Sequence, residues 1–473
     1  MKNTLSLLFV IILTVHLPSI DALRTSPPVQ EPIAIPAEHE VDPIPAEPEV
    51  EVDPIPAEPE VAIPSTDEQS GLRFVFSMFR HGARQPTRLD KSGVDVFGEH
   101  WDAPGELTPA GKRMQFLLGA RNRIVYKNFM SKRNMAGSVF VRSSDYNRTI
   151  ESVLSQMQGF FPPGEGELIA NKRTRRTAHP FIDDPRGKNW KGYNSWLGMR
   201  TIKNRVETVP VHLFTKQNKF HDFFYVPYDC KPYSAISKAN IKNPVIVDFM
   251  TNFKAKYGDT LQKMAGMPDH KFMDHYWYMF GMFDSFISDM YDGREMKKAI
   301  AHGLDIQAFN KTSFEFAKND ILIQFNGGED AFFARWTASI LWPEVIGWME
   351  RRIAADNGGN FEFKGYGLPR FAFFSTHDVT VGSGLIVLNR AFGTPLYYTP
   401  FASDIFFELH RNTKGEYKVH IKYQNLTMAI KSFAEFKEKL EAQFFTREYI
   451  VETCGWGKDK MHFFMPENQH GGH

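Results

Sequence analysis

The segment "LRFVFSMFRHGARQPT" (residues 72–87) joins a run of mostly apolar residues to a cluster of cations. The run predicts a buried strand that ends in Arg-His-Gly, where the chain enters a loop. Arg80, His81 and Arg84 carry, or can carry, positive charge within five residues. Because these charges repel each other, the pattern favours a site for a doubly charged anion such as a phosphate group.

Two later segments repeat this plan of a strand followed by a polar loop and a helix. They are "SVFVRSSD" (138–145) and "RFAFFSTHD" (370–378), each followed by apolar residues at helical spacing. Thr108 and Pro109 predict the start of another helix, and residues 404–423 read as a β-hairpin. Strands that alternate with helices predict an α/β fold whose central, mainly parallel sheet is flanked by helices.

The middle of the chain, residues 165–335, lacks this alternation and contains aromatic runs such as "HYWYMFGMFDSF" (275–286). We expect an inserted, mainly helical cap here. Substrates of open α/β sheets bind at the carboxyl ends of the strands, where an insertion would wall the pocket. The predicted boundaries are 66–164 and 336–455 for the α/β core and 456–473 for a C-terminal tail.

The first 65 residues differ in composition from the rest. Residues 1–22 are typical of a secretory signal peptide, because Lys2 precedes an apolar stretch and Ala22 is a small residue suited to cleavage. Residues 23–65 contain 11 of the 29 prolines, no aromatic residue and two tandem copies of "EVDPIPAEPEV". Such a composition cannot bury a core, so we expect a disordered spacer arm; a binding segment for a partner is the alternative.

Charge and hydropathy restrict the class of function. With 42% hydrophobic residues among 473, the chain can build a large core, and its net charge of +1 favours neither a nucleic-acid-binding protein nor a membrane-surface protein. The arm carries ten acidic residues against one arginine, which leaves the rest of the chain moderately basic. We expect no membrane anchor and a location in a vesicle lumen, such as the lysosome, or outside the cell.

The chain has two cysteines, Cys230 and Cys454. In an oxidising compartment an even pair favours one disulfide, with two free thiols as the alternative. Asn310 and Asn425 begin Asn-X-Thr sequences and are expected glycosylation sites. Asn147 begins a third such sequence, but its place beside Arg148 leads us to expect it buried among the charged residues at the strand ends.

If the sheet is parallel, the loops after the three predicted strands converge at one edge. They would bring together three arginines, two histidines and a carboxylate: Arg80, His81, Arg84, Arg148, His377 and Asp378. Arginine forks bind phosphate oxygens and lower the pKa of a neighbouring histidine, which keeps its lone pair free. A neutral imidazole beside a bound phosphoryl group can act as a nucleophile, and Asp378 can then protonate the leaving group.

The motifs "RHGARQP", "SSDYNRT" and "STHD" resemble, in order and approximate spacing, those of the histidine acid phosphatases, a branch of the phosphoglycerate-mutase-like fold. The resemblance covers residues 71–454. It implies that His81 is the nucleophile and Asp378 the proton donor, with Arg80, Arg84, Arg148 and His377 as phosphate ligands. It also implies an α/β domain with a helical insertion and hydrolysis of small phosphomonoesters at low pH without a cofactor or metal. A homodimer is compatible with the resemblance.

The segment "VPYDC" and the late Cys454 resemble positions that form a disulfide in animal members.

The sequence also departs from the acid phosphatase pattern. Many acid phosphatases have aspartate where this chain has Ala83, and "RHGARQPT" is closer to the "RHGxRxPT" of the phytases, which share the fold. A phytase is therefore the first alternative. A sugar-phosphate mutase is disfavoured by the predicted signal peptide. An inactive, phosphatase-like binding protein is disfavoured by the complete set of charged residues.

Overall fold

The structure, a computed structural model, describes residues 71–130, 138–178, 195–214, 230–267, 269, 273–324, 330–359 and 368–456. The predicted signal peptide, the acidic arm and residues 457–473 of the tail lie outside these ranges. The described chain contains a seven-stranded sheet with the spatial order β3-β2-β4-β1-β5-β6-β7. Its strands are β1 (Leu72–Arg80), β2 (Val139–Ser144), β3 (Val211–Phe214), β4 (Phe371–Thr376), β5 (Asp404–Arg411), β6 (Tyr417–Tyr423) and β7 (Leu426–Ser432).

One half of the sheet is parallel and the other antiparallel. Strands β3, β2, β4 and β1 run parallel, whereas β5, β6 and β7 continue from β1 as an antiparallel meander. The predicted α/β class and the parallel strands that follow its three motifs are confirmed, and so is the hairpin at 404–423. The parallel register pairs Arg80 with Thr376 and Ser143 with Ser375, so the carboxyl ends of β1, β4 and β2 lie side by side.

Twelve α-helices have both of their ends in the described ranges. They are α1 (Pro109–Val125), α2 (Asn147–Phe160), α3 (Lys172–Thr177), α4 (Lys231–Ile241), α5 (Pro244–Ala265), α6 (Tyr276–Asp292), α7 (Lys297–Ala301), α8 (Ile306–Gln324), α9 (Phe332–Asp356), α10 (Asp378–Phe392), α11 (Phe433–Glu441) and α12 (Arg447–Cys454). As Thr108 and Pro109 predict, α1 begins with the Thr108 hydroxyl accepting a hydrogen bond from the Gly111 amide at 3.1 Å.

The two faces of the sheet are covered by different helices. On β1, Phe74, Phe76 and Met78 point into a core that includes residues of α9 and α10. Val75 and Phe79, on the opposite face, pack into a second core with residues of α1 and α2. This alternation is the two-residue period of a strand buried on both faces.

The loop after β1 lies directly against the start of α1. A side chain on Gly82 would place its Cβ 2.2 Å from the Gly111 carbonyl oxygen, and one on Gly111 would meet the Ala83 carbonyl oxygen at 2.0 Å. Only glycine fits at such distances, which explains why the histidine of the Arg-His-Gly motif is followed by glycine. The contact fixes the backbone on the carboxyl side of His81.

The middle of the chain is mainly helical. Helices α4 to α8 share an aromatic cluster that includes Phe253, Phe283, Phe286 and Phe309. The segment predicted as an insertion also contains β3, which pairs with β2 in the main sheet; four residues are too short a run to stand out in the sequence. The predicted boundary at residue 335 falls within α9.

Of the two predicted glycosylation sites, Asn310 is half-buried within α8, and Asn425 lies in the turn between β6 and β7 with a φ of 68°. Both remain predictions. In the described ranges, no helix combines the length and the apolar character needed to cross a bilayer.

Cys230 and Cys454 form a disulfide that joins the residue preceding α4 to the last residue of α12. Both cysteines are buried. Because the bond spans a sequence separation of 224 residues, it removes much of the freedom of the unfolded chain.

We expect the double variant Cys230→Ser, Cys454→Ser to lose up to about 5 kcal/mol of unfolding free energy. The measurement is chemical denaturation of the purified protein, with the midpoint and slope compared between variants. Treatment of the wild type with a reductant should shift its midpoint in the same direction. Equal midpoints for oxidised, reduced and substituted protein would contradict a stabilising role.

Candidate active site

The ends of β1 and β4 bring two histidines together. The His81 amide donates to the Thr376 carbonyl at 3.0 Å, which continues the ladder beyond the strands. His377 follows β4 directly and caps α10. Both imidazoles are buried, and their ring centres lie 5.6 Å apart. Parallel pairing therefore places side by side two residues that are almost 300 positions apart.

The tautomer of His81 is fixed by the backbone. Its Nδ1 lies 2.8 Å from the Gly82 carbonyl oxygen, which can only accept, so Nδ1 carries the proton and Nε2 carries the lone pair. Burial holds the pKa of His81 well below its usual value, and the charges of Arg148 and Arg80 lower it further. At mildly acidic pH the ring is therefore neutral and has one basic nitrogen.

Arg80 is held in place from two sides. Its Nη1 donates to the Thr399 carbonyl at 2.8 Å, and its Nη2 lies 2.8 Å from Asp378 Oδ2. The guanidinium lies over the Phe401 ring, 4.2 Å from the ring centre. Asp378 is less buried than the arginine, and its second oxygen accepts from the Val379 amide at 2.9 Å. Arg80 and Asp378 were predicted to lie at one edge of the sheet, whereas no sequence pattern indicates Thr399 or Phe401 as neighbours.

Arg84 has a partner that the sequence analysis missed. Its guanidinium forms a two-pronged ion pair with Asp284 of α6, at 3.0 and 2.7 Å. The amide and hydroxyl of Thr87 also donate to this carboxylate. Asp284 is the one carboxylate in the aromatic run 275–286, a signal that could have been noticed. Arg84 thus connects the loop after β1 to the helical segment, and its expected role as a phosphate ligand stays a prediction.

His377 is oriented by two hydroxyl groups. Thr149 donates its hydroxyl hydrogen to the Ser144 carbonyl at 2.9 Å, so its oxygen accepts from the Ser144 hydroxyl at 2.8 Å. The Ser144 oxygen is then the acceptor for His377 Nε2, also at 2.8 Å. This order of donors directs Nδ1 of His377 towards the guanidinium of Arg148, whose Nη2 lies 3.4 Å away.

We expect Ser144→Ala to lower kcat/KM about 10- to 100-fold, the range for loss of a group that orients a catalytic side chain. The kinetic constants on a simple phosphomonoester test this, together with the pH profile, because the imidazole loses its proton acceptor. Ser155→Ala is the matched control, since that hydroxyl donates only to a carbonyl of its own helix. Identical kinetics and pH profiles for the two variants would contradict the orienting role.

The start of α2 corrects one expectation. Asn147 is exposed and donates to Glu106 at 3.2 Å, whereas we expected it to be buried in the site. Successive helical residues point about 100° apart, so Arg148 faces His377 while its neighbour faces solvent. Arg148 lies over the Tyr146 ring, 4.5 Å from the ring centre. Thr149, the third residue of the Asn-Arg-Thr sequence, is fully buried.

One group in the described ranges has the side chains and spacing to hold a metal ion. The potential ligand atoms of Glu408, His410 and His420 lie within 4.8 Å of one another. However, Glu408 already accepts hydrogen bonds from Lys422 at 2.8 Å and Tyr126 at 2.7 Å. The group lies on β5 and β6 and includes none of the residues around His81.

Comparisons with known proteins agree with this geometry. Residues 71–282 match the model of the histidine phosphatase superfamily (branch 2). The chain is 23% identical over 377 residues to lysosomal acid phosphatase of Xenopus laevis, covering 77% of this chain and 72% of that protein. It is 23% identical over 360 residues to human prostatic acid phosphatase, covering 75% and 78% of the two chains.

Solved structures share the fold at low sequence identity. The phytase from Citrobacter braakii superimposes with a TM-score of 0.53 at 14% identity, over 79% of this chain and 98% of that one. The Hafnia alvei phytase gives a TM-score of 0.51 at 12% identity, over 81% and 98%. The Arg-His-Gly loop, the buried histidine pair at parallel strand ends and these matches agree with one another: residues 71–282 match branch 2 of the histidine phosphatase superfamily, and about three quarters of the chain is similar to acid phosphatases.

Proposed function

We propose that this protein is an acid phosphatase that hydrolyses phosphate monoesters at low pH through a phosphohistidine on His81. The observation that carries the proposal is the state of the His81 ring. A buried imidazole among arginines has its proton fixed on Nδ1 and its lone pair on Nε2. Such a ring remains nucleophilic at a pH at which a solvent-exposed histidine would be protonated.

In the first step, His81 Nε2 attacks the phosphorus of the bound ester. The bond from Nε2 to phosphorus forms as the bond from phosphorus to the ester oxygen breaks, and Asp378 gives its proton to that oxygen, so the alcohol leaves. Arg80 and Arg148, together with His377 once its Nδ1 carries a proton, bind the phosphoryl oxygens and stabilise the charge that they carry during transfer. A bound phosphate competes with Asp378 for the Arg80 guanidinium, which frees the carboxyl group for proton transfer.

In the second step, water replaces the histidine. The Asp378 carboxylate takes a proton from the water, whose oxygen bonds to phosphorus as the bond to Nε2 breaks. Inorganic phosphate then leaves, and both His81 and Asp378 return to their starting protonation states. The cycle needs no redox partner or second substrate besides water.

The covalent intermediate gives the direct test of this proposal. Full-length protein is mixed with a labelled monoester at acidic pH, quenched, and examined for label bound to protein. We expect a phosphoenzyme that is stable in base and labile in acid, as a phosphoramidate bond is. No turnover at any pH from 3 to 8 would overturn the proposal and revive the binding-protein alternative.

Arg148 should set the acid limit of activity, because its charge is a leading cause of the lowered His81 pKa after burial. Removing the charge raises that pKa, so His81 is protonated at a higher pH and the acid limb of kcat/KM moves upward. We therefore expect Arg148→Gln to shift this limb to higher pH, in addition to losing overall activity. Arg148→Lys keeps the charge and should keep the limb near its original position. An unshifted limb in Arg148→Gln would contradict the electrostatic coupling.

A phytase remains the second candidate because of the "RHGARQPT" sequence after β1. The two functions differ in their preferred substrate. Turnover of inositol hexakisphosphate should be compared with that of simple monoesters at the same pH. A kcat/KM that favours inositol hexakisphosphate tenfold or more would make the protein a phytase.

We further propose a glycosylated protein in a vesicle lumen, such as the lysosome, or outside the cell. The predicted signal peptide supports this, as does the disulfide, which persists in oxidising compartments. The relatives named lysosomal and prostatic acid phosphatase agree with it. The predicted homodimer can be tested by sedimentation. Enzymatic removal of glycans should lower the apparent mass of protein made in a secretory host.

A further inference from the structure

A cavity of about 400 Å³ lies at the end of the sheet opposite His81. It is lined by residues at the start of β1, before β4, at the end of β5 and at the end of α9. Since β1 rises about 3.3 Å per residue from Leu72 to Arg80, roughly 25 Å separates the cavity from the loop that holds His81. The cavity is therefore not part of the candidate active site.

The side chains that line this cavity carry mostly positive charge. Four of its lining residues are arginines and one is an acid: Arg73, Arg352, Arg370, Arg411 and Asp356. Asp356 lies 3.1 Å from Arg73 Nε and accepts from the Tyr417 hydroxyl at 3.3 Å. One carboxylate thus faces four guanidinium groups, which leaves an excess of three positive charges around one open volume.

Two of these arginines are held in place by hydrogen bonds to backbone carbonyls. Arg352 donates one nitrogen to the carbonyls of Leu368 and Pro369, at 2.6 and 2.8 Å, and Arg370 donates Nη1 to the Phe129 carbonyl at 2.9 Å. A guanidinium carries five N–H groups, so these contacts orient it without using all its donors. Burial lowers the pKa of Arg352, and the charges of Arg370 and Arg73 lower it further, against the opposing effect of Asp356.

We propose that this cavity is a second anion site, which binds a small molecule carrying phosphate or sulfate groups. Two features favour that chemistry. Guanidinium forks bind tetrahedral oxyanions through pairs of hydrogen bonds. A volume of about 400 Å³ is large enough for a ligand that bears more than one such group.

The test is equilibrium dialysis of labelled inorganic sulfate, a tetrahedral dianion that the protein cannot hydrolyse, against the full chain. We expect two classes of bound sulfate in the wild type. Arg370→Gln with Arg411→Gln should lose one class, with at least tenfold weaker binding, and keep kcat/KM within twofold. Arg148→Gln should lose the other class and keep the cavity class, so failure of the proposed activity and failure of this site are distinguishable. The charge-matched control is Lys238→Gln with Lys263→Gln, two exposed lysines of α4 and α5.

Asp356→Asn gives a test that does not depend on losing binding. Removing the one carboxylate from the cavity should tighten sulfate binding about fivefold, by the loss of one repulsive charge at short range. Displacement by inorganic phosphate or by tripolyphosphate then distinguishes a single free oxyanion from a ligand with several. Unchanged sulfate binding in both the arginine pair and Asp356→Asn would overturn the proposal.

Discussion

Replacing His81 by alanine is expected to reduce kcat by about 10⁴-fold or more, the scale on which removal of a catalytic nucleophile acts. The large effect follows from the position of the ring. His81 Nε2 is the nitrogen left without a proton when Nδ1 donates to Gly82, and three arginines lower the pKa of this residue. The measurement is kcat on a simple phosphomonoester at the pH of maximal activity, together with phosphoenzyme trapping, which should give no labelled protein.

An exposed histidine provides the control for this experiment. His100→Ala changes the same residue type at the surface and should retain wild-type turnover. Far-ultraviolet circular dichroism checks that His81→Ala still folds, because the buried ring leaves a cavity. Turnover above one tenth of the wild-type value in His81→Ala would remove it from the role of nucleophile.

Asp378→Asn is expected to lower the rate of phosphoryl transfer by an amount that depends on the leaving group of the substrate. Loss of a general acid lowers rates by about 10²- to 10⁴-fold when the departing alkoxide needs a proton. We expect a loss of this size for alkyl phosphates and a loss smaller than about tenfold for phosphoryl transfer from nitrophenyl phosphate, whose phenolate leaves without help. The burst of nitrophenol in a rapid-mixing experiment reports the first step separately from hydrolysis of the intermediate.

Asparagine is preferred to alanine here because Asp378 Oδ2 lies 2.8 Å from Arg80 and an amide oxygen can still accept that hydrogen bond. The design therefore removes the acid while it keeps the arginine in place. Thr380→Ser, at a nearby buried position of α10, is the control for local packing. Equal losses on alkyl and nitrophenyl esters would show that Asp378 supports binding and has no acid role.

The convergence of His81, Arg148 and His377 was predictable because it depends on features visible in the sequence. Each motif follows an apolar run of strand length, and parallel strands end at a common edge. Their contacts with substrate stay predictions. The exposure of Asn147 was not predictable in the same way, because the turn of a helix sends neighbouring side chains in different directions.

Other features depend on contacts that a sequence does not reveal. Asp284 pairs with Arg84 although the two residues are 200 positions apart in the chain. The aromatic residues around Asp284 indicate a packing role for that segment and not an ion pair. The arginines of the remote cavity come from three elements and from the loop before β4, so no local motif unites them. The antiparallel half of the sheet was predicted only as a hairpin, since β7 carries mostly polar or half-exposed residues and gives a weak strand signal.

The place of β4 between β1 and β2 has a consequence for how the molecule is synthesised. β1 and β2 leave the ribosome long before β4. Until β4 is synthesised, the edges of β1 and β2 that it will pair with have no hydrogen-bonding partner. Such high contact order slows folding and exposes edges that invite aggregation. The late strand also delivers His377, so a chain translated only as far as residue 370 has neither a complete sheet nor a complete pair of histidines.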